Sequence, residues 1–146
     1  MMRDRRILLA VTGGVAAYKA VYLARRLLEQ GAELEVIMTE AARRFVGEQT
    51  FAAITGRPVS TDLFGSVRVS PHTVLARWAE LIVVAPATAA TLAKLAAGLS
   101  DDLLSATLLA STAPVLLAPA MHTEMWENPA TPVSYTHLTL PTTGMR

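Results

Sequence analysis

The stretch RRILLAVTGGVAAYK, residues 5–19, contains the transition that decides the fold. Its apolar run Ile7–Val11 leads through a threonine into two glycines, and this pattern predicts a buried strand that turns directly into a helix. Apolar residues then recur at helical intervals between Val15 and Gln30, and Gly31 supplies a stop, so we predict one amphipathic helix there. A buried strand followed at once by a helix is typical of a parallel βα unit.

The same alternation continues along the chain. Apolar runs at residues 32–39, 79–88 and 113–121 predict three further strands, the last two stopped by prolines. The helices predicted between them are one or two short helices in residues 40–56, broken near Gly47, a helix from His72 to Trp78, a helix capped by Thr88 that ends near Gly98, and a helix from Asp101 to Ser111. We therefore predict the α/β fold class, with a parallel sheet inside a three-layer sandwich.

Length and composition restrict the kind of protein. A chain of 146 residues suits one domain with a real core, and a net charge of +1 gives no general attraction to nucleic acid or acidic membranes. The chain has no cysteine, which excludes thiolate metal sites and a cysteine nucleophile within it. The run Ile7–Val11 is too short for a signal peptide, and the apolar stretch Leu81–Gly98 is interrupted by Pro86 and Lys94. We predict a soluble, cytoplasmic domain without nucleic-acid or membrane partners.

Four distinctive stretches follow the four predicted strands: TGGVAAYK at 12–19, MTEAA at 38–42, APATAAT at 85–91 and APAMHTEMW at 118–126. In open parallel sheets, ligands bind beyond the carboxyl ends of the strands. Because those ends share one edge, we expect all four stretches to lie together. The sequence therefore predicts a ligand site at this edge.

The residues at that edge suit an anionic or flat ligand, although each also has a plainer structural explanation. Gly13 and Gly14 can expose the N–H groups of a helix start to a phosphate, or simply form a tight turn. Thr39 can offer its hydroxyl to a ligand or cap a helix. The small residues Pro86–Thr88 allow an aromatic ring to approach closely, or form an ordinary strand-to-helix junction. Both alternatives stay open at each position, and the convergence of all of them favours a ligand.

Titratable residues give weaker signals. His72 suits acid–base chemistry near neutral pH, although a histidine at a helix start is more often a surface or capping residue. Asp101 and Asp102 are explained by the stabilisation that acidic residues give to a helix N-terminus. His122 and Glu124 have no third ligand nearby in sequence, so we predict no metal site.

A series of motifs resembles the flavin-containing cysteine decarboxylases. The motifs are VTGGVAAYKA, VIMTEAARRFV, a histidine six residues before WAELIVVAPATAATLAKLAAGLSDDLL, and PAMHTEMWENPAT. The resemblance covers residues 6–131 and points to the phosphopantothenoylcysteine decarboxylases, which form one half of a bifunctional decarboxylase–ligase. It implies a Rossmann-like fold, FMN as the cofactor, and a homo-oligomer that is a trimer or a larger assembly of trimers, with sites built between subunits.

The resemblance also implies roles for individual residues. The residues implied to hold the phosphate and ribityl chain of FMN are Gly13, Gly14, Val15, Ala16 and Thr39. Those implied to lie against the isoalloxazine ring are Pro86, Ala87 and Thr88. The catalytic histidine of the family corresponds to His72, and the substrate carboxylate would be bound by Met121 and His122.

The implied reaction is the FMN-dependent decarboxylation of 4′-phospho-N-pantothenoylcysteine to 4′-phosphopantetheine in coenzyme A biosynthesis. The cysteinyl end is oxidised to a thioaldehyde, loses carbon dioxide and is reduced again, and in this family the last step uses a cysteine on a later flap. Two residues depart from the family pattern, because His122 and Asp102 each stand where relatives have asparagine; His122 thereby becomes a titratable donor. The alternatives are a peptidyl-cysteine decarboxylase and a non-catalytic, flavin-binding regulatory subunit.

The end of the chain differs in character from the rest. Residues 132–146 are polar and patternless, and Val133–Thr142 resembles a translated sequencing adapter of the transposase type. We therefore expect an incomplete flavoprotein domain at residues 1–131 and a non-native tail at 132–146. Because the flap cysteine is missing, we also expect that this chain cannot complete turnover; whether a ligase domain belongs to the parent protein stays open.

Overall fold

The computed structural model describes residues 2–64, 69–132 and 134. Within those ranges the strands are β1 (Arg6–Val11), β2 (Glu33–Met38), β3 (Leu81–Ala87) and β4 (Val115–Pro119). The helices are α1 (Ala17–Glu29), α2 (Glu48–Thr55), α3 (Pro71–Trp78), α4 (Ala89–Ala97), α5 (Leu103–Ala110) and α6 (Thr123–Glu127), with a 3₁₀ turn at Ala42–Arg44. The predicted succession of strands and helices is confirmed.

The four strands form one parallel sheet in the order β2-β1-β3-β4. β1 is an inner strand, and its Leu9 is paired with Val36 of β2 on one side and with Val83 of β3 on the other. The chain first builds outward from β1 to β2 and then crosses to the opposite side of β1 for β3. Because the strand order reverses there, a crevice opens between the carboxyl ends of β1 and β3, which is the usual ligand position in such sheets.

Helices cover both faces of the sheet. On one face, α1 lies close to the strands because it presents the small buried residues Ala20 and Ala24, and Phe51 of α2 completes that half of the core. On the other face, the core is closed by leucines of α3, α4 and α5, namely Leu75, Leu92 and Leu103. The predicted α/β three-layer sandwich of Rossmann-like type is therefore confirmed.

Two predicted element boundaries are wrong by a short distance. β3 does not stop at Pro86 but continues to Ala87, and the bond between Ala85 and Pro86 is cis. α5 is capped by Asp102 instead of beginning at Asp101, because Asp102 and Ser105 cap each other. The Ser105 N–H donates to the Asp102 carboxylate at 2.8 Å, and the Asp102 N–H donates to the Ser105 hydroxyl at 3.2 Å. That reciprocal geometry selects the residue three positions before Ser105.

The amino edge of the sheet contains two arginines at the start of β1. Arg5 and Arg6 pair with Glu80 at 3.2 and 3.7 Å, and Arg6 also donates to the carbonyl oxygen of Trp78 at 2.8 Å. These arginines therefore tie β1 to the start of β3, at the edge opposite to the crevice.

Some predictions fall partly on residues outside the described ranges. The segment 60–71, which lies between the predicted helices of residues 40–56 and the helix from His72, is described apart from 65–68. Of the predicted non-native tail, only Pro132 and Ser134 are described, so the boundary at residue 131 stays a prediction. In the ranges 2–64, 69–132 and 134, no helix is both long and apolar enough to cross a membrane.

Candidate ligand site at the carboxyl edge of the sheet

A cavity of about 1150 Å³ lies at the carboxyl edge of the sheet. All four predicted stretches contribute to its wall, which confirms that they converge. The predicted site residues that line it are Gly13, Gly14, Val15, Ala16, Thr39, Thr88, Met121 and His122. A cavity of this size can accommodate a cofactor-sized molecule.

The β1–α1 turn approaches the segment after β2 so closely that it requires glycine. A Cβ atom on Gly13 would lie 2.3 Å from the Cβ of Ala41 and 2.8 Å from its carbonyl carbon, well inside contact distance. A Cβ on Gly14 would meet only the Thr88 methyl group, at an ordinary 3.7 Å. The two glycines thus differ in function, because Gly13 permits close packing of two backbones.

The same turn leaves the start of α1 open to an anion. The helix has no side-chain cap at Ala16 and no acidic residue in its first turn. The positive end of the helix dipole therefore lies at the cavity, which Gly14, Val15 and Ala16 line. The N–H groups of Val15 and Ala16 have no backbone acceptor among the described residues, whereas that of Gly14 donates to the carbonyl oxygen of Thr12 at 3.1 Å. This is the arrangement in which helix N-termini bind phosphate groups.

Thr39 lies on the cavity wall and also bonds to the backbone of the next segment. Its hydroxyl oxygen accepts the N–H of Ala42, the first residue of the 3₁₀ turn, at 3.1 Å. Since the hydroxyl acts only as an acceptor in that bond, its hydrogen is available to a ligand.

A buried threonine that the sequence analysis did not select joins the two strands at the crevice. The Thr12 hydroxyl donates to the carbonyl oxygen of Pro86 and accepts the N–H of Thr88 at 3.2 Å. Thr88 in turn caps α4 by accepting the Thr91 N–H at 3.2 Å. Pro86 and Ala87 are buried behind Thr88 and are not among the described residues that line the cavity.

An ion cluster on the cavity wall was also missed from the sequence. Lys94 of α4 lies 3.1 Å from a carboxylate oxygen of Asp101 and 3.3 Å from one of Asp102. Its hydrogen bond to Asp101 raises the pKa of Lys94, against the opposing effect of desolvation. Burial alone would raise the pKa of Asp102, but hydrogen bonds from Ser105 and the nearby Lys94 hold it below the ordinary value. Lys94 and Asp102 are therefore both charged at neutral pH.

Apolar side chains supply much of the rest of the wall. Phe45 and Tyr18, each about half exposed, line the cavity together with Val15 and Met125. Exposed apolar groups around a concave site suit a ligand with a flat, poorly hydrated part. The sequence did not indicate Phe45 or Met125, because they lie several residues beyond the ends of β2 and β4. No sequence pattern at such positions predicts where the side chain points.

The two candidate histidines occupy different positions. His122 is exposed, lines the cavity and stands at the N-cap position of α6 without forming a side-chain cap. His72 lies in the first turn of α3 and is not one of the described residues on the cavity wall. Its Nδ1 atom is nevertheless buried without a hydrogen-bond partner among the described residues. Such an orphaned polar atom is costly to bury, so it requires an explanation beyond packing.

The site combines three chemical features. The start of α1 suits an anion, apolar side chains form much of the wall, and the charged cluster around Lys94 lies beside them. Within the described ranges, no group of three or more His, Asp or Glu side chains could hold a metal ion. A parallel α/β sheet with a glycine turn and a cavity at its strand-order reversal defines a protein that binds a nucleotide-type cofactor.

Comparison with known proteins gives the particular family. The chain belongs to the Flavoprotein family, whose model matches residues 1–143. It is 55% identical over 127 residues to the coenzyme A biosynthesis bifunctional protein CoaBC of Mycobacterium tuberculosis, covering 87% of this chain and 30% of that protein. The chain thus spans about a third of the length of the curated relatives it matches.

Solved structures of decarboxylases share the fold. The FMN-dependent cysteine decarboxylase SpaF superposes with a TM-score of 0.91 at 34% identity, covering 100% of this chain and 84% of that one. A cysteine-to-serine mutant of PPC decarboxylase complexed with pantothenoylaminoethenethiol superposes with a TM-score of 0.77 at 33% identity, covering 93% and 78% of the two chains.

Proposed function

We propose that the chain binds FMN in the carboxyl-edge cavity and decarboxylates 4′-phospho-N-pantothenoylcysteine, as the decarboxylase part of a CoaBC-type protein. The observation that carries the proposal is the cavity itself, which joins an uncapped helix start to an apolar wall at the strand-order reversal. Membership of the Flavoprotein family and the names of the relatives support the same cofactor and substrate.

The residues present fit FMN. The phosphate would be held at the Gly13–Ala16 turn by the N–H groups of Val15 and Ala16, since that of Gly14 already donates to the carbonyl oxygen of Thr12. The ribityl chain would be held by Thr39, whose hydroxyl can still donate. The isoalloxazine would lie along the segment Pro86–Thr88, where Thr88 reaches the cavity wall and the apolar side chain of Phe45 also faces it. When bound, FMN supplies the reversible two-electron oxidation that makes the loss of carbon dioxide possible.

Recognition of the substrate carboxylate is assigned to the loop after β4. Met121 and His122 line the cavity there, and the exposed imidazole of His122 can donate a hydrogen bond to a carboxylate. The asparagine of relatives would also donate, but only histidine can add a positive charge. His122 therefore keeps a hydrogen-bond donor at this position.

His72 is proposed as the acid–base group, brought to the cavity by assembly. Its buried Nδ1 has no hydrogen-bond partner among the described residues, and His72 does not line the cavity of its own chain. In a homotrimer or a larger assembly of trimers with sites between subunits, a neighbouring copy would supply this side chain. Two further predictions belong to this proposal: the protein is cytoplasmic, and its native sequence ends at about residue 131 of this chain.

The reaction can be tested with two substrates under anaerobic conditions. The purified chain is loaded with FMN and mixed with 4′-phospho-N-pantothenoylcysteine or with a peptide that ends in cysteine, and carbon dioxide and product masses are measured. We expect carbon dioxide from the first substrate only. Because the chain has no cysteine to support the final reduction, we expect about one carbon dioxide per FMN and an aminoethenethiol product two hydrogens lighter than 4′-phosphopantetheine.

The other outcomes separate the alternatives. Carbon dioxide from the peptide in preference to the small substrate would replace the proposal with a peptidyl-cysteine decarboxylase. Binding of FMN without carbon dioxide from either substrate would favour the regulatory flavin-binding subunit. Repeated formation of 4′-phosphopantetheine would contradict the expected incomplete turnover.

A further inference from the structure

Thr12 forms the polar link between the two strand ends that border the crevice. It is 1% exposed, and its hydroxyl oxygen is placed between the carbonyl of Pro86 and the N–H of Thr88. These partners lie 74 and 76 residues further along the chain. A single side chain directly after β1 therefore bonds to two backbone groups at the end of β3.

The link extends from Thr88 into α4. The Thr88 hydroxyl caps this helix by accepting the Thr91 N–H, and Ala89 and Ala90 line the cavity beside it. Moving the Thr88 backbone would therefore move both the cavity wall and the start of α4. No comparable side-chain link to Pro86–Thr88 comes from the Gly13–Ala16 turn in the described residues.

We infer that Thr12 is a positioning residue that sets the isoalloxazine side of the cavity through the Pro86 carbonyl and the Thr88 N–H. The inference rests on the proposed FMN site. The inference assigns Thr12 to the part of the cavity that would hold the isoalloxazine ring and not to the part that would hold the phosphate. The reason is that the Thr12 hydroxyl bonds to Pro86 and Thr88, between β3 and α4. Loss of the hydroxyl should weaken flavin binding without changing the preference for the phosphate group.

The test compares Thr12→Val with Thr12→Ser in titrations with FMN and riboflavin. Valine keeps the shape but leaves the carbonyl and N–H without their partner, whereas serine keeps the hydroxyl. We expect Thr12→Val to weaken the binding of both flavins by about tenfold and to shift the visible spectrum of the bound flavin. Thr12→Ser should retain the wild-type affinities for both flavins and the wild-type spectrum.

Thr55→Val is the matched control. The Thr55 hydroxyl likewise bonds to a backbone carbonyl, that of Phe51 at 2.9 Å, and accepts a backbone N–H, that of Arg57 at 3.2 Å, but it does not line the cavity. We expect Thr55→Val to lower thermal stability and leave both flavin affinities and the spectrum unchanged.

Three results would overturn the inference. Wild-type affinity and spectrum in Thr12→Val, or a loss confined to FMN, would show that the hydroxyl does not set the ring side while the proposed function stands. A tenfold loss in Thr12→Ser would show that the hydroxyl is not the determinant, even if the valine variant fails to fold. Absence of flavin binding by the wild-type chain would instead overturn the proposed function together with the inference.

Discussion

Replacing His72 by asparagine is expected to slow the single-turnover release of carbon dioxide by about 10²- to 10⁴-fold, the usual contribution of a positioned acid–base group. Asparagine is similar in size and polar, so it can occupy the first turn of α3, but it cannot exchange a proton near neutral pH. The FMN affinity should stay unchanged because the proposed contribution of His72 is proton transfer with the substrate, whereas the FMN phosphate and ring are assigned to Gly13–Ala16 and Pro86–Thr88. Rapid mixing of the FMN-loaded chain with substrate, followed by quantification of carbon dioxide, gives the rate.

Arg77→Gln is the control for this experiment, because Arg77 lies on the same helix and is exposed. It should release carbon dioxide at the wild-type rate. A His72→Asn variant as fast as wild type would remove His72 from the mechanism. If the His72→Asn variant no longer binds FMN, His72 contributes to binding or folding and not to proton transfer.

Replacing Gly13 by alanine is expected to lower the free energy of unfolding by about 1–3 kcal/mol, the usual cost of overpacking. The added methyl group would overlap with both the side chain and the backbone of Ala41, and backbone cannot rotate away as a flexible side chain can. One of the two segments must therefore shift. Denaturant unfolding of the apo chain measures the effect.

The same shift should weaken FMN binding by about one to two orders of magnitude, since a hydrogen bond to a charged group contributes about 1.5–3 kcal/mol. Gly14→Ala is the matched control for stability, because its methyl group would meet only the methyl of Thr88 at ordinary distance. Equal unfolding free energies for Gly13→Ala and wild type would show that the close approach to Ala41 is not a real constraint on the turn.

The fold was predictable from sequence because its signals are local. Each signal involves residues that are close in sequence: the apolar run Ile7–Val11, the glycines that follow it, and the helical spacing of apolar residues after them. The strand and the helix that these signals predict are both present in the structure. The errors concern two element boundaries. The strand β3 continues through Pro86, and the cap of α5 is Asp102, because pairing with β4 and the reciprocal bonds with Ser105 decide those positions.

The site was only partly predictable, since topology brings strand ends together but does not specify which side chains meet. The convergence of Gly13, Thr39, Thr88 and Met121 followed from the parallel sheet. The contact between Thr12 and Pro86 spans 74 residues, and no spacing rule indicates it. The Lys94 cluster depends likewise on how the end of α4 faces the start of α5.

The most direct measurement is a fluorescence titration of the apo chain with FMN and, separately, with riboflavin. The account predicts that the chain binds FMN and that riboflavin binds at least about tenfold more weakly, because it lacks the phosphate that the open N-terminus of α1 would hold. Equal binding of the two flavins would contradict the phosphate cradle at Gly13–Ala16. Binding of neither would contradict the flavin site at the carboxyl edge altogether.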